Sequence, residues 1–459
     1  MEIPQNCLAK KIKEQLFFWQ GENLKNLVDR LETSESFLAA NEGPDLSELA
    51  YSLYSETPKN KSASYNLAIA AESINDLKTK IVSAKELLGN NTKFIPARYS
   101  LGGRDAKGIY FSSSPLAKSG KIAFLFSGQG SQRLNMLKDL TPIFREMRES
   151  IHKADTVLKD RLPKLLSEYI YPPAVSMPEQ EKVYLEELTQ TNITQPALGA
   201  VEVGLYKIVK LFGINADMVA GHSLGEYVAL YAAGVLEEKT LYELLEYRGS
   251  AIMSSGKSGN LGKMLAVGAN IDDIKDIVKD INEVYFANLN SPKQTILSGD
   301  EKGLESAGAK LKEKGFKSVK INVSCAFHSP YMSEAKKLLF GKLATLDYKM
   351  PAIPVYSNLS ALQYPNDRDS ILSILSEHLI SSVKFTEEVE NMFKDGARVF
   401  IEIGPGNILT NLVKQILGEK DYVVVASNTK TSTDAAQLLN VFAQLIAEGF
   451  EVDLSPMFD

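Results

Sequence analysis

The alternation of apolar and polar positions divides the chain into stretches of different texture. Over residues 1 to about 100, short apolar runs alternate with amphipathic segments of helical period. QLFFWQG (15–21) predicts a strand, NLKNLVDRLETSESFLA (23–39) a helix, and DLSELAYSLYS (45–55) a second helix with Asp45 as its cap. SASYNLAIAAES (62–73) predicts a second strand, SINDLKTKIVSAKELL (73–88) a third helix, and GIYFSS (108–113) a late strand. This is an α+β module with no catalytic cluster of its own.

From Lys121 onward, near-continuous apolar runs alternate with long helices, the mark of a buried parallel sheet. IAFLFSG (122–128), ADMVAGHS (216–223), IPVYSN (353–358), ARVFIEIG (397–404) and YVVVASN (422–428) are the predicted core strands. Between them, residues 263–322 follow a βαββαβ order, which predicts a split βαβ subdomain inserted into the α/β domain. The small-residue stretch SSGKSGNLG (254–262) reads as a hinge into that insert.

At 459 residues, the chain is long enough for two or three units, and 44% hydrophobic with 24% charged residues describes a globular protein with a sizeable core. A net charge of -6 argues against nucleic-acid binding. Cys7 and Cys325 match no metal-binding or CxxC spacing, and no apolar run reaches membrane-spanning length. The N-terminus lacks the apolar core of a signal peptide, so the expected compartment is the cytoplasm.

GHSLG (221–225) fits the nucleophile-elbow pattern G-x-S-x-G, with the required strand before it and helix after it. Ser223 would stand at a helix N-terminus, where the Leu224 N–H and the helix dipole favour a developing oxyanion. Of four histidines, His152 and His378 lie on polar helical stretches and read as solvated, and His222 should turn away from Ser223. His328, in SCAFHSPYM just after a predicted strand, is the best candidate base. SGQGSQ (127–132) follows the first core strand and can bring the Gln129 N–H in as a second oxyanion donor. Arg248 lies on a largely apolar helix, where a guanidinium is costly unless paired; turned into the cleft, it would hold a carboxylate.

Together FLFSGQGSQ, TQPALGA (194–200), AGHSLGEYVAL, the Arg248–Gly249 pair, ANLNSPKQTILSG (287–299), CAFHSPYM, PVYSN and EIGPGNILT (402–410) resemble the acyltransferase domains of type I polyketide and polyunsaturated fatty acid synthases. More distantly they resemble the malonyl-CoA:acyl carrier protein transacylases. The resemblance implies an α/β-hydrolase-like large subdomain with a parallel sheet (120–262 and 323–425) and a small ferredoxin-like subdomain (263–322). It also implies an α+β linker domain of the ketosynthase-to-acyltransferase kind (1–115) and a C-terminal post-acyltransferase segment (426–459). The chain would then be a piece of a multidomain synthase or a freestanding acyltransferase that kept its linker.

Carried onto this sequence, the resemblance makes Ser223 the acylated nucleophile, His328 its base, Gln129 and Leu224 the oxyanion donors, and Arg248 the partner of a malonyl carboxylate. Malonyl-selective members carry HAFHS; here Cys325, Phe327, His328 and Ser329 keep the bulky Phe but replace the first His by Cys. The implied substrates are malonyl-CoA and a phosphopantetheinylated acyl carrier protein, with ketosynthase and other synthase domains as further partners and no bound cofactor or metal. KLKEKGFKSVK (310–320) is a candidate docking patch for an acidic carrier protein, its alternative being a solvated helix face. An acyl-thioester hydrolase using the same Ser–His pair, or an inactive structural segment of a synthase, are the rival readings.

Overall fold

The computed structural model describes residues 3–459 apart from 42, 58–62, 91–97, 101–107, 175–176, 256–260, 322 and 324. The predicted hinge at 254–262 therefore lies mostly outside the described residues.

The N-terminal sheet is antiparallel, in the order β1-β2-β4-β3: β1 (Gln15–Gly21), β2 (Tyr65–Ala71), β3 (Arg98–Ser100) and β4 (Ile109–Ser112). The short β3 has no counterpart in the sequence reading. The helices Leu24–Ala40 and Ile74–Asn90 pack on β1, β2 and each other. The helix Leu46–Glu56 starts where expected, the Asp45 carboxylate accepting from the backbone N–H groups of Ser47 (3.0 Å) and Glu48 (3.1 Å).

β5 (Lys121–Phe126) and β6 (Met218–Gly221) open the parallel sheet. The chain then leaves it for β7 (Lys263–Val267), β8 (Val284–Ser291), β9 (Gln294–Gly299) and β10 (Ser318–Ile321), an antiparallel sheet ordered β10-β7-β9-β8. With the helices Ile271–Val278 and Glu301–Glu313 between its strands, this is the ferredoxin-like βαββαβ arrangement. β11 (Ala397–Ile403) and β12 (Val423–Ala426) return to complete the parallel sheet in the order β12-β11-β5-β6. The predicted strand at 353–358 is reduced to a bridge: Val219 N–H donates to the Pro354 carbonyl and Tyr356 N–H to that of Val219, both at 2.9 Å. Pro354 has no N–H to extend the ladder.

The helix Asp434–Ala447 crosses back from the parallel sheet onto β1, β2 and β4 of the N-terminal sheet. Its Phe442 ring stacks 4.5 Å from Phe212, and beyond it Phe458 meets Tyr51 at 5.1 Å and Tyr54 at 5.8 Å. Glu448 accepts from Leu116 N–H at 3.2 Å and from the Ser112 hydroxyl at 3.3 Å. One hydrophobic core consequently runs from β1 and β2 through to the helices of the α/β unit. No helix among the described residues is long and apolar enough to cross a membrane.

Candidate active site

The cleft forms where β6 ends. A Cβ on Gly221 would meet the Gly225 backbone at 2.0 Å, and one on Gly225 would meet the Phe126 carbonyl oxygen at 2.3 Å. Only glycine fits at either position, so the chain can turn between strand and the helix Gly225–Ala232 within three residues. Ser223 at the apex takes φ +54°, a left-handed conformation that costs a serine energy and persists only when its surroundings enforce it.

The Ser223 hydroxyl lies 2.8 Å from His328 Nε2. On the far side of the ring, Nδ1 is 3.1 Å from the backbone carbonyls of both His378 and Ser381. Carbonyls only accept, so Nδ1 carries the proton and the Nε2 lone pair faces the serine. His328 is buried, and burial followed by the positive charge of Arg248 pulls its pKa down to about 3. The imidazole is thus neutral and able to accept a proton.

Arg248, on the helix Glu238–Ser255, is only 1% exposed. Its guanidinium stands over the Tyr227 ring at 5.4 Å, while Nε and Nη2 have no hydrogen-bond partner among the described residues. Burial, partly offset by Tyr227, pushes its pKa down from the ordinary arginine value. A buried guanidinium without a partner is costly, and an anion in the cleft would offset that cost.

The cleft has a volume of about 420 Å³ and brings Ser223, His328, Arg248, Gln129 and Phe327 to one wall. The opposite wall is the small sheet, with Met264, Ala266, Asn288, Asn290 and Ile296. Neither the Gln129 nor the Leu224 N–H donates a hydrogen bond among the described residues. Cys325 is buried and lines a neighbouring groove of about 660 Å³ that shares Gln129 with the cleft. The Ser329 hydroxyl donates to the Ala326 carbonyl at 2.6 Å and so braces its own loop.

His222 turns to the small sheet, its Nε2 2.7 Å from Asn290 Oδ1. His152 is exposed, but His378 corrects the sequence reading: it is 1% exposed and its ring stands 5.5 Å from that of His328. The signal was present, since His378 falls four residues after Ile374 and seven after Ile371, on the apolar face of its helix. Asn358, buried behind the Ser223 turn, was visible in sequence only as the polar end of an apolar run. Its Oδ1 accepts from Ser223 N–H at 2.7 Å.

Residues 123–452 match the acyl transferase domain family. The chain is 35% identical to a malonyl CoA-acyl carrier protein transacylase of Bacillus subtilis, over 70% of this chain and 97% of that protein. It is 34% identical to one polypeptide of the polyunsaturated fatty acid synthase from a Thraustochytrium species over 75% of its length, yet spans only 12% of that larger protein. Among solved structures, an acyltransferase domain from the second module of the salinomycin polyketide synthase superposes with a TM-score of 0.72 at 27% identity. That likeness covers 95% of this chain and 94% of the domain, so it takes in the N-terminal module as well. With the parallel sheet, the inserted small sheet and the serine turn all in place, the chain belongs to the acyl transferase domain family.

Proposed function

We propose that this protein transfers a malonyl group from malonyl-CoA to the phosphopantetheine thiol of an acyl carrier protein, through an ester on Ser223. The observation that carries the substrate choice is Arg248, whose unpaired nitrogens share one cleft with the serine–histidine pair. A malonyl carboxylate supplies the missing partner, and an acetyl group does not.

In the first half-reaction, His328 Nε2 takes the Ser223 proton as Oγ attacks the thioester carbonyl. The oxyanion lies between the N–H groups of Leu224 and Gln129. Collapse breaks the C–S bond, His328 returns the proton to the CoA sulfur, and CoA–SH leaves. The carrier-protein thiol reverses these steps: it gives its proton to His328, attacks the ester, and Ser223 is reprotonated. The carboxylate on Arg248 also cancels a charge that disfavours imidazolium, so His328 becomes more basic when the right substrate is bound. Phe327 fills the space beside the acyl chain and discriminates against a methyl branch by about 1–3 kcal/mol.

Both reactants bring their own thioester or thiol, so the reaction needs no resident cofactor. Cys7 and Cys325 form no disulfide, which suits the reducing cytoplasm. Residues 1–115 act as the linker domain that bears on a ketosynthase, and 426–459 tie it to the catalytic unit. The lysines 310, 312, 314 and 317 are exposed and make no ion pair among the described residues, which suits contact with an acidic carrier protein.

Intact-protein mass spectrometry after brief mixing with malonyl-, methylmalonyl- and acetyl-CoA tests the reading, with Ser223→Ala as control. A malonyl adduct on the wild type alone is the expected result. Release of CoA without an adduct would replace transfer by hydrolysis, and neither event would leave a structural segment.

A further inference from the structure

Behind the Ser223–His328 pair lies a buried polar cluster that takes no part in the transfer chemistry: Asn358, Glu226, Glu388 and His378. We propose that Asn358 is a positioning residue that clips the nucleophile turn into its left-handed conformation. The proposal rests on the reading of Ser223 as the nucleophile, but not on the identity of the acyl group.

The Asn358 amide spans the turn. Oδ1 accepts from Ser223 N–H at 2.7 Å and Nδ2 donates to the Gly221 carbonyl at 2.7 Å, gripping the backbone on both sides of His222. Of the uncharged side chains, only a primary amide offers an acceptor and a two-hydrogen donor on one small rigid plane. The second Nδ2 hydrogen goes to Glu388 Oε2 at 2.9 Å. Asn358 is itself anchored through its backbone: its N–H donates to Glu226 Oε2 at 2.8 Å, and its carbonyl accepts from Lys384 N–H at 2.9 Å.

Two consequences follow from this geometry. The grip commits the Ser223 N–H to Asn358, while the next N–H, that of Leu224, donates to no group among the described residues. It also links nucleophile and base through one residue. His378 gives its carbonyl to His328 Nδ1 and sets its ring Nε2 3.3 Å from Asn358 Oδ1. Because that oxygen accepts from Ser223, His378 must donate to it from Nε2. Burial raises the pKa of Glu226 to about 7 and that of Glu388 well above its ordinary value.

The experiment uses the whole chain with Asn358→Ala and Asn358→Asp. A fluorophosphonate probe reports the reactivity of Ser223 regardless of its natural substrate, and malonyl-CoA turnover gives kcat and KM. Asn358→Ala should slow phosphonylation and lower kcat by on the order of 100-fold, with KM for malonyl-CoA within about threefold of wild type. Asn358→Asp faces the Glu226 and Glu388 carboxyls and the His378 ring, and when protonated it restores the acceptor and one donor. Relative to wild type at each pH, it should exceed the alanine variant about tenfold at about pH 6 and lose that advantage by about pH 8.5. Wild-type phosphonylation in a folded alanine variant would overturn the clip, as would an aspartate variant that tracks alanine at every pH. If Asn358→Ala does not fold, the pH response of Asn358→Asp decides alone. A wild-type Ser223 that reacts with the probe but takes no malonyl group would overturn the substrate assignment and leave the clip standing.

Discussion

The molecule contains two four-stranded antiparallel sheets, each with a pair of helices packed on one face, and they differ in what meets the other face. In the N-terminal sheet, the helix Asp434–Ala447 covers it, so β2 is buried on both sides from Asn66 to Ala71. In β7 and β9 of the small sheet, alternation separates the faces. Leu265, Val267 and Leu297 point into a core with Ile274, Leu304 and Leu311, while Met264, Ala266 and Ile296 point into the cleft. The same architecture serves as a brace where both faces are covered and as the wall of a cleft where one is left open.

Substitutions at four places put this contrast to the test. Phe442→Ala removes a fully buried ring from the covering helix and should cost about 3–5 kcal/mol of stability, read as a lowered melting temperature. Its kcat/KM per folded molecule should stay at the wild-type value; a matching loss would mean that the brace also shapes the site. Arg248→Ala should lower kcat/KM for malonyl-CoA by about 100-fold and for acetyl-CoA by less than about tenfold. Equal losses would remove the carboxylate role. The same variant should shift the pH profile. His328 must be neutral to act, and its pKa is held below 6.5 by burial and then by Arg248, so the acid limb of acylation lies below pH 6.5. Losing the positive neighbour favours imidazolium, raises that pKa and moves the limb upward; a limb that stays fixed would separate Arg248 from His328.

On the small sheet, Ile296→Ala opens the cleft wall and should raise KM for malonyl-CoA by roughly threefold to tenfold, while the loss of a side chain only 6% exposed lowers stability by about 2–4 kcal/mol. An unchanged KM would make this face a packing surface like that of the N-terminal sheet. The smallest effect concerns the solvent side of the same subdomain. Lys310→Glu with Lys312→Glu should raise KM for the carrier protein by about twofold to fivefold and leave the malonyl-CoA step alone. No change would return these lysines to the role of a solvated helix face.

Local patterning made most of the architecture readable. Apolar runs located the strands of the parallel sheet, βαββαβ spacing located the insert, and Asp45 marked a helix start that the fold uses. β3 escaped because three residues carry too little period to register, and 353–358 was overestimated because its apolar content outweighed Pro354, which has no N–H for the ladder. His378 was misplaced when its polar neighbours outweighed its position on the Ile371–Ile374 face.

The same division holds at the site. G-x-S-x-G is a local steric necessity, because glycines at 221 and 225 are the only residues that let β6 turn into the helix, so five consecutive residues suffice to place Ser223 at the apex of the turn. Which histidine serves it, which carbonyls orient that histidine, and whether Arg248 meets the cleft or a carboxylate of the protein depend on segments more than 100 residues from the turn or on helix rotation. Those contacts exist only after β5, β6, the insert and the 358–381 segment have packed together. A side chain's partner is a property of the assembled core, whereas its backbone preference belongs to its immediate neighbours.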